Sequence, residues 1–435
     1  MIHCARIDGH KSDMTVTIYQ GDRAERDWLK DISPYSRLRH PNLLQLYGVA
    51  ISSGLHAAVF RDELIPYGLF VERFRDITHV QRMYLWAYCA SDFCLAREYM
   101  QMMFHQNIYP RVSKTWIRSS TGRLCMEPME RFYPCYVFPD IPAESSWTPS
   151  ESDSFTVLHE AQPESYMEIV SSMPLELYHS LCWNLFHDIP HIKIPQSEMM
   201  RVGTIIFCPS STESLDSHGQ IVAFLEPVSL HFNGWNCSCS GPNGSYTSLA
   251  SNLLDNGWTR IHDEGGLLMF MRISYEGRDW LSQANYIFGQ LHVNSNHHNY
   301  GYIHRCDFQL WISPTGPGVP SGYLFVCPPE DLQVGPSLFR WPDCPAYWSR
   351  DPNGLDPLDA EEAARLGYPT IKLHRYVRLQ SCYSEVYTGL RQFHKAKGFD
   401  PDSQEVARHL GHSLFKLVDP PIPFGAVPFT YSQLL

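Results

Sequence analysis

Histidine and cysteine are the side chains best suited to hold a transition metal, and this chain gathers them in two places. "HVNSNHHNYGYIHRCD" (292–307) contains His292, His297, His298 and His304, with Cys306 and Asp307 after them. Imidazole and thiolate ligate zinc, and His298 and His304 are spaced to flank a turn. Neither H-E-x-x-H nor paired C-x-x-C accompanies them, so a solvated polar turn between a helix and a strand explains the segment better. "HFNGWNCSCSGPNGSY" (231–246) carries Cys237 and Cys239 two residues apart. On a strand these share one face. With His231 or His262 they could bind a metal or supply a thiol nucleophile. An exposed loop with ordinary thiols is the simpler account. A third stretch, "GPSLFRWPDCPAYWSRDPNG" (335–354), strings Phe339, Trp341, Tyr347 and Trp348 between prolines. Such rings can stack on a flat ligand. They are better read as plugs over the domain core, because an exposed patch of that size is costly.

The elements that would position these groups follow from periodicity. "MTVTIYQG" (14–21) alternates as a strand, and "DRAERDWLKDISPYSRLRH" reads as a helix with Trp28, Leu29 and Ile32 on one face, broken at Pro34. "NLLQLYGV" and "LHAAVFRDEL" are strands joined at "SSG". Leu43, Leu44 and Leu46 are expected in the core, with either Leu43 or Leu46 at the strand edge or over the helix and Leu44 and Leu46 the preferred pair. "YLWAYCASDFCLAREYMQMMFH" (84–105) is a long helix with Leu85, Tyr88, Phe93, Ala96, Met100 and Met103 near helical spacing. "KTWIRSSTGRLCMEPM" reads as two short strands around a turn.

Residues 140–164 are rich in Pro, Ser, Asp and Glu and read as a linker. Beyond it, residues 165–435 mix helices and strands with no catalytic motif. "RDWLSQANYIFGQL" reads as one helix. "LDAEEAARLGYP" and "PDSQEVARHLGH" each place an aspartate (Asp359, Asp402) three residues before a glutamate (Glu362, Glu405), as N-caps do. The expected fold class is therefore α+β, with domains at 1–139 and 165–435.

Composition narrows the function classes. The chain has 435 residues and a net charge of −12. Residues 1–139 carry 17 Lys+Arg against 14 Asp+Glu, and the remainder 17 against 32. So acidic a second region argues against nucleic acid as a partner. No polybasic stripe suggests a membrane surface. The N-terminus "MIHCARIDGH" has no apolar signal region, and 13 scattered cysteines fit reduced thiols, so a cytoplasmic setting is expected.

"RLRHPNLLQLYGV" (37–49) resembles the passage of a protein kinase in which helix αC leads into strand β4, and "STGRLCM" resembles the hairpin before the D-F-G motif. Strand, helix, H-P-N, strand, strand, long helix and β-turn-β follow the kinase chain order from β3 to β8 over roughly residues 14–130. The truncated start and the "WLSQANYIF" helix also resemble a large protein family of mushroom-forming fungi. The resemblance implies a truncated kinase-like N-terminal domain at 1–139, and it also exposes what is missing.

A kinase needs a Gly-rich loop, a β3 lysine paired with an αC glutamate, an H-R-D aspartate and a D-F-G aspartate. Here "DGHKSD" stands before the first strand, Tyr19 falls at the lysine position and Asp31 at the glutamate position. Lys11 and Lys30 do not fit the strand register. His105 is followed by no aspartate, and Glu127 replaces the metal-binding aspartate. A kinase-derived scaffold without phosphoryl transfer is expected, with a protein partner, no cofactor and no catalytic or metal residues. The alternative is an enzyme with its site in residues 165–435, for which His292, His297, His298, His304, Cys237 and Cys239 are the candidates.

Overall fold

The computed structural model describes residues 2–6, 13–36, 38–52, 54–74, 77–104, 115–127, 170, 172–196, 198–208, 219–225, 234–239, 246–248, 253–262, 267–275, 277–312 and 320–423. The expected linker, 140–164, lies outside them, as do His105 and His231. The architecture is mixed α+β, built on antiparallel sheets. The chain groups into two compact units: Met1–Asn184 with Thr388–Phe399, and Leu185–Tyr387 with Asp400–Leu435. Residues 175–183, assigned above to the second region, therefore group with the first unit.

The first unit opens with β1 (Ile2–Ala5), β2 (Met14–Tyr19) and helix α1 (Ala24–Ile32). Strands β3 (Leu46–Ser52) and β4 (Leu55–Phe60) follow, joined by a turn whose Gly54 has φ +79°. These strands pair in the order β1-β2-β4-β3, with β3 at an edge. Next come β5 (Leu64–Pro66), α2 (Tyr67–Glu72) and the long α3 (His79–Phe104). The hairpin of β6 (Thr115–Arg118) and β7 (Leu124–Met126) pairs with β5, and α4 (Leu175–Trp183) comes later in the chain.

Several expectations shift here for physical reasons. On α1 the buried residues are Ala24 and Trp28, spaced one turn apart, while Leu29 points outward and is exposed. Leu43 and Leu44 are the buried pair, and Leu46 is half-buried. Both lie ahead of β3 in an irregular segment, so period-2 alternation does not govern them. Leu43 enters the cluster formed by α3, and Leu44 the cluster beneath α1 with Trp28 and Phe60. Met103, near the end of α3, is exposed, unlike the other five positions expected on its apolar face.

In the second unit the first strands are β8 (His187–Lys193), β9 (Met200–Arg201), β10 (Thr204–Phe207) and β11 (Gln220–Leu225). Then come β12 (Asn236–Cys239), β13 (Tyr246–Ser248), β14 (Thr259–His262) and β15 (Leu267–Ser274). Two short helices follow, α5 (Arg278–Leu281) and α6 (Ala284–Gln290), then the 13-residue β16 (Tyr300–Ile312). The remainder holds β17 (Tyr323–Val326), β18 (Gln333–Gly335), β19 (Leu338–Phe339), β20 (Ala346–Ser349) and β21 (Pro357–Leu358). Helix α7 (Ala360–Leu366), β22 (Ile371–Ser381), α8 (Ser384–Ala396), α9 (Glu405–His409) and β23 (Phe415–Pro423) complete the chain.

A nine-stranded sheet runs β13-β12-β15-β16-β10-β11-β23, with β22 also pairing β16 and β8 pairing β22. Strands β14-β17-β20-β21 and β18-β19-β9 form two smaller sheets. Strict alternation makes one face of the large sheet apolar: Met269, Met271 and Ile273 on β15, Cys306, Phe308 and Leu310 on β16, and Val377 and Leu379 on β22. Onto that core fold Phe339, Trp341 and Trp348, as plugs. Trp341 stacks on Trp235 at 6.2 Å, and Trp348 on Tyr368 at 5.2 Å.

The helix expected across "RDWLSQANYIFGQL" is two helices, α5 and α6, parted at Ser282–Gln283. The Gln283 side chain donates to Asp279 O and Ser413 O and accepts from the Phe415 amide, tying the break between the helices to the segment before β23. Asp359 caps α7 as expected, accepting from the Glu362 amide at 2.7 Å. Asp402 does not cap α9; Gln404 takes that position without a side-chain cap bond.

Candidate functional site

Tyr19, Asp31 and Glu127, the residues expected at phosphate-handling positions, come from β2, α1 and the end of the β6–β7 hairpin. The last residue of β2 is Tyr19, and Asp31 lies in the final turn of α1. The Tyr19 hydroxyl donates to Asp31 Oδ2 at 3.0 Å. Burial, reinforced by the Asp31 carboxylate, pushes the Tyr19 hydroxyl's pKa up, so it remains a donor. The further charges acting on it, Glu127 and Asp27, are also acidic. Glu127, just past β7, accepts from Trp116 Nε1 at 3.3 Å. Burial, then Glu127, raises the pKa of the nearby Tyr35 hydroxyl as well. Lys30, on the same helix, is exposed, and Lys11 lies outside the described residues.

The chemistry available here is therefore phenol, carboxylate and indole. A triphosphate needs fixed positive charge or a row of backbone amides, and the groups around Tyr19 present carboxylates.

The H-P-N segment is fastened to the hairpin rather than to a ligand. Asn42, buried, donates through Nδ2 to Leu124 O at 2.9 Å, while the Met126 amide donates to Asn42 O at 3.0 Å and the Leu44 amide to Met126 O at 2.9 Å. His40 stacks on Tyr99 at 4.9 Å, and its Nδ1 accepts from the Asn42 amide at 3.2 Å, which makes it a turn residue. Arg118 from β6 clasps the same turn: Nη2 donates to Leu43 O at 2.8 Å and Nη1 meets Asp62 Oδ2 at 3.0 Å. On α3 the buried Asp92 accepts from Arg123 and from the Leu124 amide. Sequence reading passed over Arg118, Asp92 and Arg123. Nothing in local periodicity marks a polar residue that closes a hydrogen-bond circuit with one about 30 to 80 residues away.

In the second unit the expected metal candidates spread out. His292 follows α6 with φ +55°. His297 packs at a tilt against Phe288, with ring centroids 4.6 Å apart, and the His298 carbonyl accepts from Ser381 Oγ at 3.3 Å. Because β16 begins at Tyr300, His304 sits within a strand and not in the polar turn. Cys237 and Cys239 are on β12, which pairs with β13 and β15, so that segment is strand and not the exposed loop. His262 ends β14, a strand of a different sheet. Among the described residues no three His, Cys, Asp or Glu side chains are grouped as a metal site requires. No helix among them is long and apolar enough to cross a membrane. No protein-family model matches the chain, and no curated protein sequence matches it.

Proposed function

We propose that this chain is a non-catalytic interaction protein built on a kinase-derived lobe. The observation that carries the reading is the Tyr19–Asp31 hydrogen bond. It stands where a kinase has a lysine–glutamate ion pair that grips the α- and β-phosphates. A phenol–carboxylate pair closes the same strand-to-helix gap and offers no positive charge to phosphate.

The element order over residues 14–126 supports the kinase ancestry: β2, α1, the H-P-N turn, β3, β4, α3 and the β6–β7 hairpin. The partner is a protein. Strand β3 is a sheet edge that carries exposed Tyr47, Val49 and Ile51, and α1 presents exposed Leu29. An open edge with apolar side chains is a template for strand addition or side-chain docking. Nucleic acid is set aside on the acidic balance of residues 140–435, and a membrane surface for want of a polybasic stripe. The setting is the cytoplasm, consistent with the free thiols of the described cysteines, most of them buried.

The test is thermal unfolding of the full chain with and without millimolar ATP and magnesium. A ligand that does not bind the native state leaves its melting point unchanged, and no shift is the expected result. A saturable rise of several degrees overturns the reading.

A further inference from the structure

The large sheet of the second unit has a second face, and its composition is the reverse of the domain's. Register aligns Arg272 of β15 with Asp307 of β16, and Asp307 with Tyr376 of β22. Two residues along, Arg305 lies opposite Arg378. Three guanidinium groups thereby converge on one carboxylate: Arg305 Nε at 2.8 Å and Arg272 Nε at 3.3 Å from Asp307 Oδ1, and Arg378 Nε at 3.6 Å from Oδ2. Asp307 is 5% exposed and Arg272 43%. Each guanidinium carries five donors, and two carboxylate oxygens cannot occupy fifteen. Three cations around one carboxylate leave an excess of positive charge at this point of the sheet, with Arg272 the most exposed of the three.

The cationic field continues along the strands. Lys193 pairs in register with Tyr376, and Lys372 with Trp311, both lysines being exposed. His374 lies between them: burial first, then Lys193 and Lys372, lower its pKa, so both ammonium groups reach it. Trp311, 46% exposed, packs edge-on against His374 at 5.8 Å. Among the outward positions of β15, β16 and β22, Asp307 is the single acidic residue, against four Arg and Lys on those strands.

We infer that this face docks a short acidic protein segment, rich in Asp and Glu, laid across β15, β16 and β22. Charge complementarity selects the occupant. The three arginines already hold one carboxylate, Asp307, and their excess positive charge suits further carboxylates. Spacings of about 4.8 Å across strands and about 7 Å between alternate residues along them suit successive side chains of an extended peptide. A long polyanion is disfavoured, because the patch is about 15 Å wide on strand spacing and the 140–435 region around it is strongly acidic overall. The choice of a protein partner rests on the interaction-protein reading; the cationic face stands without it.

The experiment uses the full chain and a fluorescein-labelled 12-residue peptide of Glu, Asp and Ser, read by anisotropy. The same peptide with Gln and Asn in place of the acids, and a labelled single-stranded oligonucleotide, are measured beside it. Expected are saturable binding of the acidic peptide, weakening with salt, and no binding of its amide version. Lys193→Glu with Lys372→Glu, both exposed and so safe for folding, weakens binding at least tenfold. Arg272→Glu with Arg378→Glu does the same where thermal melting shows the variant folded. Arg365→Glu, on α7, changes nothing. Absence of peptide binding, or binding indifferent to both double variants, overturns the proposal. So does tighter binding of the oligonucleotide that the lysine variant abolishes, or a dimer of the chain that it dissociates. ATP-induced stabilisation would remove the kinase reading and leave this result untouched.

Discussion

His179 and His394 meet through their Nε2 atoms at 2.8 Å, 215 residues apart in sequence and both buried. Two imidazole nitrogens at that distance form a hydrogen bond only if one carries a proton and the other a lone pair. A second proton between them would set N–H against N–H. The pair ties α4 to the C-terminal part of α8 inside the first unit.

The pair makes that unit sensitive to acid. Burial lowers the His394 pKa to about 4, against about 6.5 in an unfolded chain. Between those values the unfolded chain binds a proton that the folded one refuses. The contribution is therefore complete above pH 6.5 and is lost as pH falls towards 4. The full span is on the order of 3 kcal/mol. His394→Gln keeps hydrogen-bonding groups and removes the titration. Urea unfolding at pH 7 and pH 4.5 should show a loss of stability smaller in this variant than in the parent by about 2 kcal/mol. Equal losses would refute the assignment.

Leu43 is fully buried in the α3 cluster and Leu46 is only half-buried. Leu43→Ala should cost about 2–5 kcal/mol and Leu46→Ala about half that or less. Thermal melting of the two variants orders them. A costlier Leu46→Ala would mean that the strand buries its own leucine in preference to the turn's.

Gly389 on α8 leaves no room for a methyl group. A Cβ there would come within 2.5 Å of His79 Nδ1 and 2.7 Å of the Tyr178 hydroxyl. Those two groups are themselves hydrogen-bonded at 3.2 Å, and Tyr178 stacks on Phe393 at 4.0 Å. Gly389→Ala gains helix propensity, yet overpacking costs about 1–3 kcal/mol, so net destabilisation is expected. Denaturant midpoints decide it, and a stabilised variant would be inconsistent with this packing.

Arg118 joins Asp62 to the carbonyls of Leu43 and Pro41. Arg118→Met keeps the stem but removes the cation from the partly buried Asp62, which retains Ser120 Oγ, and a donor from the Leu43 carbonyl, which retains Gln45 Nε2. A loss of about 3 kcal/mol is expected, in the range for breaking a buried pair by one partner. Asp62→Asn should cost less, since an amide still accepts from the guanidinium. The ratio of the two losses, from chemical denaturation, tests whether the carbonyl clasp or the ion pair dominates.

Local physics made much of the fold readable before any coordinates. The strand at "MTVTIYQ", the Gly54 turn, the Asp359 cap and the long helix over 84–104 all depend on neighbours within one turn or one strand, and all appear as read. Chain order alone assigns Tyr19, Asp31 and Glu127 to phosphate-handling positions, and that assignment belongs to the proposed kinase ancestry. Leu43, Leu44 and Leu46 fared less well: which leucine is buried depends on two separate cores meeting at an irregular turn, and no period describes that.

What only tertiary structure decided is polar. Arg272, Asp307 and Arg378 sit 35 and 71 residues apart, yet strand register makes them neighbours. His179 and His394 are joined by helix packing, and the histidines of 292–304 are separated because a strand begins at Tyr300. Composition declared the second region acidic and so concealed a basic face within it. Net charge sums over a surface, whereas binding responds to the few charges that antiparallel pairing brings to one side of a sheet.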